Sequence, residues 1–202
     1  YNNNSISAVT SAASIPSGAL VPIKTLTASS SSTLSFVHGS SDVVFDSTYP
    51  IYLFKFINIH PATNEANFTF QVDTGTNTSY NQTMTTTSFR ALHTEDGNTT
   101  AFNYDSGRDL AQSTSFKILG HEVGNGNDES ISGELKIFSP SSDTFVKHFI
   151  ATVNIYASSD MSENKFTAGY INTTTALTRV QFKMSSGNID LGSIKLYGIK
   201  DS

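Results

Sequence analysis

Two short motifs in this sequence place an aspartate where it could do acid–base chemistry. They are Asp73-Thr74-Gly75, which follows an apolar stretch, and Asp105-Ser106-Gly107. Aspartic proteases use such turns because two carboxyl groups there share one proton. Within one chain each motif needs a lobe of its own, and residues 76–104 are too few to build one. A dimeric aspartic protease needs a single Asp-Thr/Ser-Gly motif in each chain. Ile118-Leu119-Gly120 faintly resembles the second sequence element that such proteases share. Both motifs are also ordinary strand-ending turns, which is the interpretation we favour.

The histidines do not form a recognisable metal or catalytic motif. They are far apart in the sequence, and no H-E-x-x-H pattern is present: His38, His60, His93, His121 and His148. A Ser–His–Asp triad is an alternative interpretation because serines are abundant. The G-x-S-x-G turn that exposes such a serine is, however, missing from the sequence. We expect structural roles for the histidines. The sequence therefore predicts a protein that is not an enzyme, with no catalytic, cofactor-binding or metal-binding residues.

One loop concentrates the oxygen-bearing side chains that a hard cation prefers. Residues 124–134 include Asn125, Asn127, Asp128 and Glu129. Ca²⁺ takes carboxylate, amide and carbonyl oxygens, so calcium binding is one interpretation of the loop. The spacing does not match an EF-hand, and a long polar loop is the simpler interpretation. We predict no cofactor and leave calcium binding open.

Aromatic residues in segments that we expect to be loops suggest a binding surface. Tyr80, Phe102, Tyr104 and Tyr170 offer flat faces that stack on sugar rings. The same side chains serve equally well in packing at the edge of a core or between subunits, which we favour. The Asn-x-Ser/Thr sequons are about as frequent as chance predicts in such a composition, so they do not indicate glycosylation: Asn3, Asn67, Asn77, Asn81, Asn98 and Asn172.

The composition excludes several classes of protein. Charged residues make up 14% of the 202 positions, cysteine is absent, and the net charge is −5 with 12 lysines and arginines. Without cysteine there is no disulfide framework and no Cys-ligated metal site. With so few basic residues, the chain lacks the footprint of a nucleic-acid-binding protein. No apolar run approaches the roughly 20 residues that cross a bilayer. No n-region and h-region pattern opens the sequence, so we expect a secretory signal to be absent or already removed. Serine, threonine and asparagine must supply the polar surface.

The first 48 residues differ from the rest of the sequence. Residues 1–14 are rich in Asn, Ser and Ala without a period, and residues 28–33 are nearly pure serine. Residues 20–26 form a short strand candidate that Pro22 restricts to an edge. We predict an extended N-terminal arm over residues 1–48 that carries short edge strands. Such an arm either docks on a neighbouring subunit or is a flexible tail with one edge strand.

From residue 49 onward the strand signal is dense. Residues 51–59 (IYLFKFINI) are apolar on both faces, which is typical of a central strand. Phe68, Phe70 and Val72 alternate with polar residues, and the Thr-rich stretch 84–92 has Phe89 and Ala91 as its best inward positions. Further strands are predicted at 131–138, 145–156, 177–184 and 189–199. The best helix candidate, residues 108–112, is short.

Seven to ten strands separated by Gly, Asn, Ser and Asp turns predict an all-β fold. The expected architecture is an antiparallel β-sandwich, with the jelly roll as the favoured topology. Residues 49–202 form this sandwich as one domain, and the N-terminal arm precedes it.

Several stretches of the sequence resemble recurring segments of known proteins. Asp46-Ser47-Thr48-Tyr49 followed by residues 54–63 (FKFINIHPAT) is similar to a recurring strand in a group of structural proteins of tailed phages, especially marine phages. Residues 169–175 (GYINTTT), 185–189 (SSGNI) and 192–198 (GSIKLYG) are similar to its closing segment, the most specific part. The resemblance spans most of residues 17–199 and is weakest over 73–130.

The resemblance implies a β-sandwich protein of the virion without catalytic residues. The expected role is capsid decoration, of the cement or head-fibre kind, with the N-terminal arm docking on other virion proteins. The alternative is a tail-fibre or tail-appendage module that binds host surface carbohydrate. A closed homo-oligomer, such as a trimer, is expected. The absence of cysteine fits assembly in a reducing bacterial cytoplasm before location on the virion.

Overall fold

The computed structural model describes residues 20–200, and all regular secondary structure in this range is β-strand. The all-β prediction is therefore confirmed. The strands, in chain order, are β1 (Leu20–Thr27), β2 (Leu34–Val37), β3 (Ile51–Pro61), β4 (Ala66–Thr74), β5 (Met84–Thr94), β6 (Thr100–Tyr104), β7 (Leu110–Ser113), β8 (Lys117–Val123), β9 (Ile131–Phe138), β10 (Lys147–Ala157), β11 (Met161–Ile171), β12 (Leu177–Met184) and β13 (Ile189–Ile199).

The strands form one continuous sheet in the order β1-β13-β3-β9-β10-β8-β4-β12-β2. All the strand pairs in this order are antiparallel, and the path curls into a nearly closed, barrel-like sheet. The link between β10 and β8 is a single pair, Ala157 with Val123. Because the hydrogen-bonded path is continuous rather than split into two sheets, the jelly-roll sandwich is not confirmed.

The sheet branches at β10. Strand β10 pairs with β9 along most of its length and with β11 along all eleven of its residues. Strand β11 pairs with β5, which in turn pairs with β6 and β7. We call β11, β5, β6 and β7 the outer ply. In β11 and β5 the inner face is buried or partly buried and the outer face is largely open to solvent, whereas all residues of β6 are exposed.

The barrel is filled by aromatic side chains. Phe54, Phe56, Phe68 and Phe70 surround Phe182, with ring centroids 5.3–6.3 Å from it. All five rings are at most 2% exposed. Burying a side chain of this size stabilises the fold by roughly 1.5–3 kcal/mol, so the five rings together make a large apolar contribution to the core. The predicted apolar positions of β4, which are Phe68, Phe70 and Val72, are confirmed as buried.

Residues 20–48 contribute two strands and several buried side chains to the fold. Strand β1 pairs with β13 from Leu20 to Thr27, and β2 pairs with β12. Phe36, Val43 and Phe45 are buried in the core. The prediction that Pro22 lies in an edge strand is confirmed, because among the strands of residues 20–200 β1 pairs only with β13. The remainder of the predicted arm, residues 1–19, lies outside the described range.

Two local predictions were wrong. The helix candidate at residues 108–112 contains the start of β7 instead. Phe89 points to solvent, and the inward positions of β5 are Met84, Thr86 and Ser88.

Candidate functional site

The outer face of the outer ply carries a row of aromatic side chains. Phe166 of β11 lies directly opposite Phe89 of β5, which lies opposite Tyr104 of β6. Directly opposed residues of antiparallel strands project from the same face, so the three rings line up across the strands. Phe102, one pleat away on β6, packs edge-on against Phe89 with ring centroids 5.7 Å apart. We call Phe89, Phe102, Tyr104 and Phe166 the aromatic ladder.

The aromatic ladder is open to solvent. The exposed fractions are 38% for Phe166, 39% for Phe89, 53% for Tyr104 and 74% for Phe102. Ile150 of β10 extends the apolar surface on the same face and is half exposed. A contiguous apolar surface of this kind typically marks a site of interaction.

Polar groups border the aromatic ladder. Asn164 of β11 and Asn154 of β10 lie opposite each other, and Asn164 also faces Ala91, the partner of Phe102. Oδ1 of Asn164 is shielded and makes no hydrogen bond within residues 20–200. At the other end, the Tyr104 hydroxyl donates to Oδ2 of Asp109 at 2.6 Å, and this hydrogen bond raises the pKa of Tyr104. The surface therefore combines flat rings with hydrogen-bonding groups.

The inner face of the outer ply carries charged side chains instead. Lys165 of β11 lies 2.6 Å from Asp105, and Arg90 of β5 lies 2.6 Å from Glu163 of β11. Lys117 of β8 packs under this face and donates to the carbonyl of Arg108. We call the following residues the ionic cluster: Arg90, Asp105, Arg108, Lys117, His121, Glu163 and Lys165. Lys117, Glu163 and Lys165 are completely buried.

Burial dominates the electrostatics of the ionic cluster. Burial, followed by the charge of Lys165, lowers the pKa of Lys117 to about 7. Burial is also the largest cause of the lowered pKa of Lys165. For Asp105, burial favours the neutral acid, but the hydrogen bond and charge of Lys165 outweigh it and hold the pKa below its usual value.

Several polar atoms of the ionic cluster lack a partner. Oε1 of Glu163, Nδ1 of His121, and Nε of Arg90 and of Arg108 are shielded and make no hydrogen bond within residues 20–200. Leaving such an atom unpaired costs about 1–3 kcal/mol, so the cluster is a strained part of an otherwise apolar interior.

The first aspartate motif is a structural turn. Asp73 is completely buried, and its carboxylate accepts hydrogen bonds from Nδ2 of Asn77 at 2.8 Å, the backbone of Tyr80 at 2.8 Å and Nε2 of Gln82 at 3.1 Å. Gly75, with φ of 56°, continues the turn after β4. The turn interpretation of this motif is confirmed, and Asp73 organises residues 75–82.

The second aspartate motif is also a turn, but its aspartate belongs to the ionic cluster. The backbone N–H of Arg108 donates to the carbonyl of Asp105 at 3.0 Å, which closes the turn after β6. The carboxylates of Asp73 and Asp105 have different partners, and no hydrogen bond joins them within residues 20–200. The paired carboxyl groups of an aspartic protease are therefore not assembled in this part of the chain.

The histidines take separate structural positions. Nδ1 of His38 accepts from the backbone of Phe45 at 2.9 Å, and Nδ1 of His60 contacts the carbonyl of Glu129 at 2.7 Å. His93 and His148 are exposed on the outer face. His121 is buried in the ionic cluster. Burial, followed by the charge of Arg108, lowers its pKa. Its Nε2 contacts the Arg108 guanidinium and also lies 2.8 Å from Oε1 of Glu122.

The polar loop at residues 124–134 folds back on itself. The carboxylate of Glu129 accepts from the backbone of Gly126, and a Cβ at Gly124 or Gly126 would collide with it. Within residues 20–200 no group of three or more His, Asp or Glu side chains is placed to hold a metal ion. Asn127, Asp128 and Glu129 border a surface groove of about 650 Å³ together with His60.

The other residues singled out in the sequence are dispersed. Tyr80 lies in the turn organised by Asp73, and Tyr170 lies on the outer face beside His148, with ring centroids 6.4 Å apart. Of the predicted stacking residues, only Phe102 and Tyr104 belong to the aromatic ladder. Among the sequon asparagines, Asn77 and Asn98 make local hydrogen bonds, whereas Asn67 and Asn172 contact Glu122 and Gln112, which are distant in the sequence. Asn3 lies outside the described residues.

Sequence reasoning did not find the ionic cluster or half of the aromatic ladder. Phe89 was assigned to the core, and residues 161–168 had no strand prediction because Glu163 and Lys165 interrupt their apolar pattern. The available signal was the alternation of Phe89 and Ala91 with Ser88 and Arg90. This alternation does not decide which of the two sets faces the interior. Only the polarity of the layer beneath β5 decides between the two faces.

Comparison with known proteins gives no match: no family model fits the chain, and no curated protein or solved structure is significantly similar to it. Between residues 20 and 200 there is no helix with the length and apolar character needed to span a membrane.

Proposed function

We propose that this protein is a non-enzymatic structural protein of a tailed-phage virion, of the capsid-decoration kind. The observation that carries the proposal is the solvent-facing aromatic ladder on a protein with few charges. Phe89 and Phe166 point to solvent and therefore do not stabilise the core. Exposed apolar surfaces of this kind are typically covered by a partner in an assembly. The resemblance of the closing segment to phage structural proteins supplies the biological setting.

The proposed partner of the aromatic ladder is a second copy of this chain. The ladder lies on a broad antiparallel face whose polar neighbours are mostly uncharged, such as Asn154, Asn164 and Thr152. Two such faces meet without burying opposed charges, which would be costly. Repetition around a rotation axis gives a closed oligomer, and we propose a trimer.

Attachment to other virion proteins is proposed for the segment before Leu20. Residues 1–19 contain no charged side chain, and β1, which they lead into, is an edge strand. Deleting residues 1–48 would remove two strands and part of the core, so it does not test attachment. Deleting residues 1–19 leaves every described contact in place.

The experiment measures incorporation into particles and oligomeric state side by side. Wild type is expected on the head of purified particles in many copies, and as a trimer in solution by sedimentation. The chain lacking residues 1–19 is expected to stay oligomeric but to be lost from particles. Normal incorporation of that truncation contradicts attachment through this segment, and a monomeric wild type contradicts self-association.

A second candidate function is binding of host surface carbohydrate by a tail-fibre or tail-appendage module. The observation that favours it is Asn164 of β11, whose Oδ1 makes no hydrogen bond within residues 20–200. Asn164 lies opposite Ala91 of β5, which lies opposite the exposed Phe102 of β6. Aromatic faces next to free amide groups are suited to sugar rings and their hydroxyls. A glycan array separates the candidates. Binding that Phe102→Ala and Asn164→Ala abolish supports the carbohydrate-binding module, and a null array on a trimeric wild type supports decoration.

A further inference from the structure

Lys165 and Asp105 form an unusually shielded contact. Nζ of Lys165 lies 2.6 Å from Oδ2 of Asp105, and the two side chains are 0% and 12% exposed. Surface ion pairs exchange freely with water, whereas this ammonium group has no access to solvent. The two groups therefore stay together in a medium of low polarity.

The backbone on both sides fixes the contact. Lys165 lies in the middle of β11, opposite Arg90 of β5. Asp105 follows β6 directly, and its backbone N–H donates to the carbonyl of Ser88 in β5 at 2.8 Å. Strand β5 thus lies between β11 and β6, and the two side chains meet beneath it. Backbones two strands apart are about 10 Å from each other, a distance that a lysine and an aspartate span when joined.

A second buried carboxylate stands beside this contact. Glu163 precedes Lys165 by two residues on β11, so both project from the inner face. Its side chain is 1% exposed, and Oε2 pairs with Nη1 of Arg90 at 2.6 Å. Oε1 has no hydrogen-bond partner within residues 20–200. An unpaired, desolvated carboxylate oxygen is suited to accept a proton and release it again.

We propose that Lys165 and Asp105 become joined by an isopeptide bond that the folded protein forms by itself. A proton first moves from the ammonium group to the carboxylate, which leaves a neutral amine and a carboxylic acid. The nitrogen lone pair then attacks Cγ of Asp105. Glu163 accepts a proton from the nitrogen and returns it to the departing hydroxyl group, and one water molecule leaves. The product is an amide, and no oxidant, reductant or metal is required.

The ionic cluster favours this reaction in two ways. Holding an amine and an acid in contact replaces a bimolecular encounter, and such proximity contributes effective concentrations of about 10⁵–10⁸ M in well-oriented cases. Exclusion of water also disfavours separated charges, and burial together with Arg108 lowers the pKa of Lys165. The ion pair itself opposes the reaction, because Lys165 lowers the pKa of Asp105. Glu163 is therefore needed to carry the proton.

The first measurement is the intact mass of the purified, denatured wild-type protein. The isopeptide bond predicts a mass below that of the sequence by one water molecule. Trypsin then locates the bond, because it does not cleave after an acylated lysine. Residues 148–179 are expected as one peptide joined to residues 91–108, which contain Asp105.

Variants assign the roles of the three residues. Lys165→Arg and Glu163→Gln are expected to have their full masses, and Asp105→Asn is expected to lose one ammonia in place of water. The matched control is Lys147→Arg. Lys147 is equally buried, but its ammonium group donates to the carbonyls of Ser142, Phe145 and Thr173. This control is expected to keep the mass deficit of the wild type.

Two results overturn the proposal. One is a wild-type protein that keeps its full mass after prolonged incubation in the folded state. The other is a mass deficit with normal cleavage after Lys165, which places the loss at a cyclised aspartate such as Asp96 before Gly97. A deficit that persists in Glu163→Gln removes Glu163 from the reaction. The wild-type mass decides the main question even where a variant does not fold.

Discussion

Phe89 stacks on Phe166 across the boundary between β5 and β11, with ring centroids 4.9 Å apart and planes 11° from parallel. This stacking takes place on the solvent side of the sheet, while the opposite face of the same strands buries charges. The outer ply therefore reverses the usual arrangement of apolar inside and polar outside. Both the solvent face and the buried face of the outer ply are therefore candidates for a function.

Replacing Phe166 by Ala is expected to weaken association far more than folding. The substitution removes one stacked pair, which contributes about 0.5–1.5 kcal/mol beyond area burial, from a ring that is 38% exposed. Urea denaturation measures the folding change and sedimentation measures the oligomer. Phe145→Ala is the control, because Phe145 is 71% exposed outside the outer ply. Equal effects of both variants on association would contradict a role for the aromatic ladder.

Replacing Asp73 by Ala is expected to destabilise the protein by about 2–4 kcal/mol. The change leaves the donors of Asn77, Tyr80 and Gln82 without their shared acceptor. Thermal unfolding measures the loss, and proteolysis reports opening of residues 75–82. Asp96→Ala is the comparison, because Asp96 caps an exposed turn through similar hydrogen bonds. A cleavage activity that disappears in Asp73→Ala would revive the protease interpretation.

Lys117 is expected to make stability increase with pH above neutrality. Its pKa is about 7 in the folded protein and 10.5 without burial, so the unfolded chain binds more protons between these values. Stability then rises by at most about 1.4 kcal/mol per pH unit. The window ends near pH 10, where Tyr52 begins to ionise in the unfolded chain, because burial raises its folded pKa to about 12.

The measurement for Lys117 is the free energy of unfolding in urea at pH 7, 8 and 9. Lys117→Met is expected to be more stable than wild type at pH 7 and to have a flatter pH dependence. Lys136→Met serves as the control, since the side chain of Lys136 is 37% exposed. An unchanged slope in Lys117→Met would show that Lys117 does not titrate in this range.

Gly198 is expected to tolerate no side chain. A Cβ at this position would lie 2.3 Å from Cγ of Tyr49, whose ring covers the glycine. Forcing the ring away costs about 1–3 kcal/mol. Thermal unfolding of Gly198→Ala measures this cost, and Gly107→Ala is the matched control because a Cβ there meets nothing within 4 Å. Equal midpoints for the two variants would mean that Tyr49 moves freely.

The barrel was predictable where strands follow a simple apolar pattern. Residues 51–59, 177–184 and 189–199 coincide with β3, β12 and β13 within two residues. In these strands the apolar side chains face one aromatic core. The apolar pattern in the sequence therefore matches the positions that are buried in the structure. The turn after β4 was also predictable, since Asp-Thr-Gly has a local hydrogen-bonding preference that does not depend on distant residues.

The outer ply was not predictable by the same argument. Phe89, the best inward candidate of residues 84–92, is exposed. A shift of one residue exchanges the two faces of a strand, and the sequence alone does not reveal which layer lies beneath. The hydropathy of Lys165 argues against a buried position. Its buried ammonium group is nevertheless paired with the carboxylate of Asp105, which lies sixty positions away in the sequence. Such pairings are set by topology rather than by local pattern.

The pairing of Leu20 with Ile199 has a mechanical consequence. Both ends of the described chain leave from one corner of the sheet, on neighbouring antiparallel strands. A force that pulls these two ends apart would load the hydrogen bonds between β1 and β13 one after another, like a zipper, rather than all together in shear. The rest of the barrel would feel no load until that edge strand had peeled away. Tension applied at this corner therefore releases β1 first and leaves the strands beyond β13 untouched.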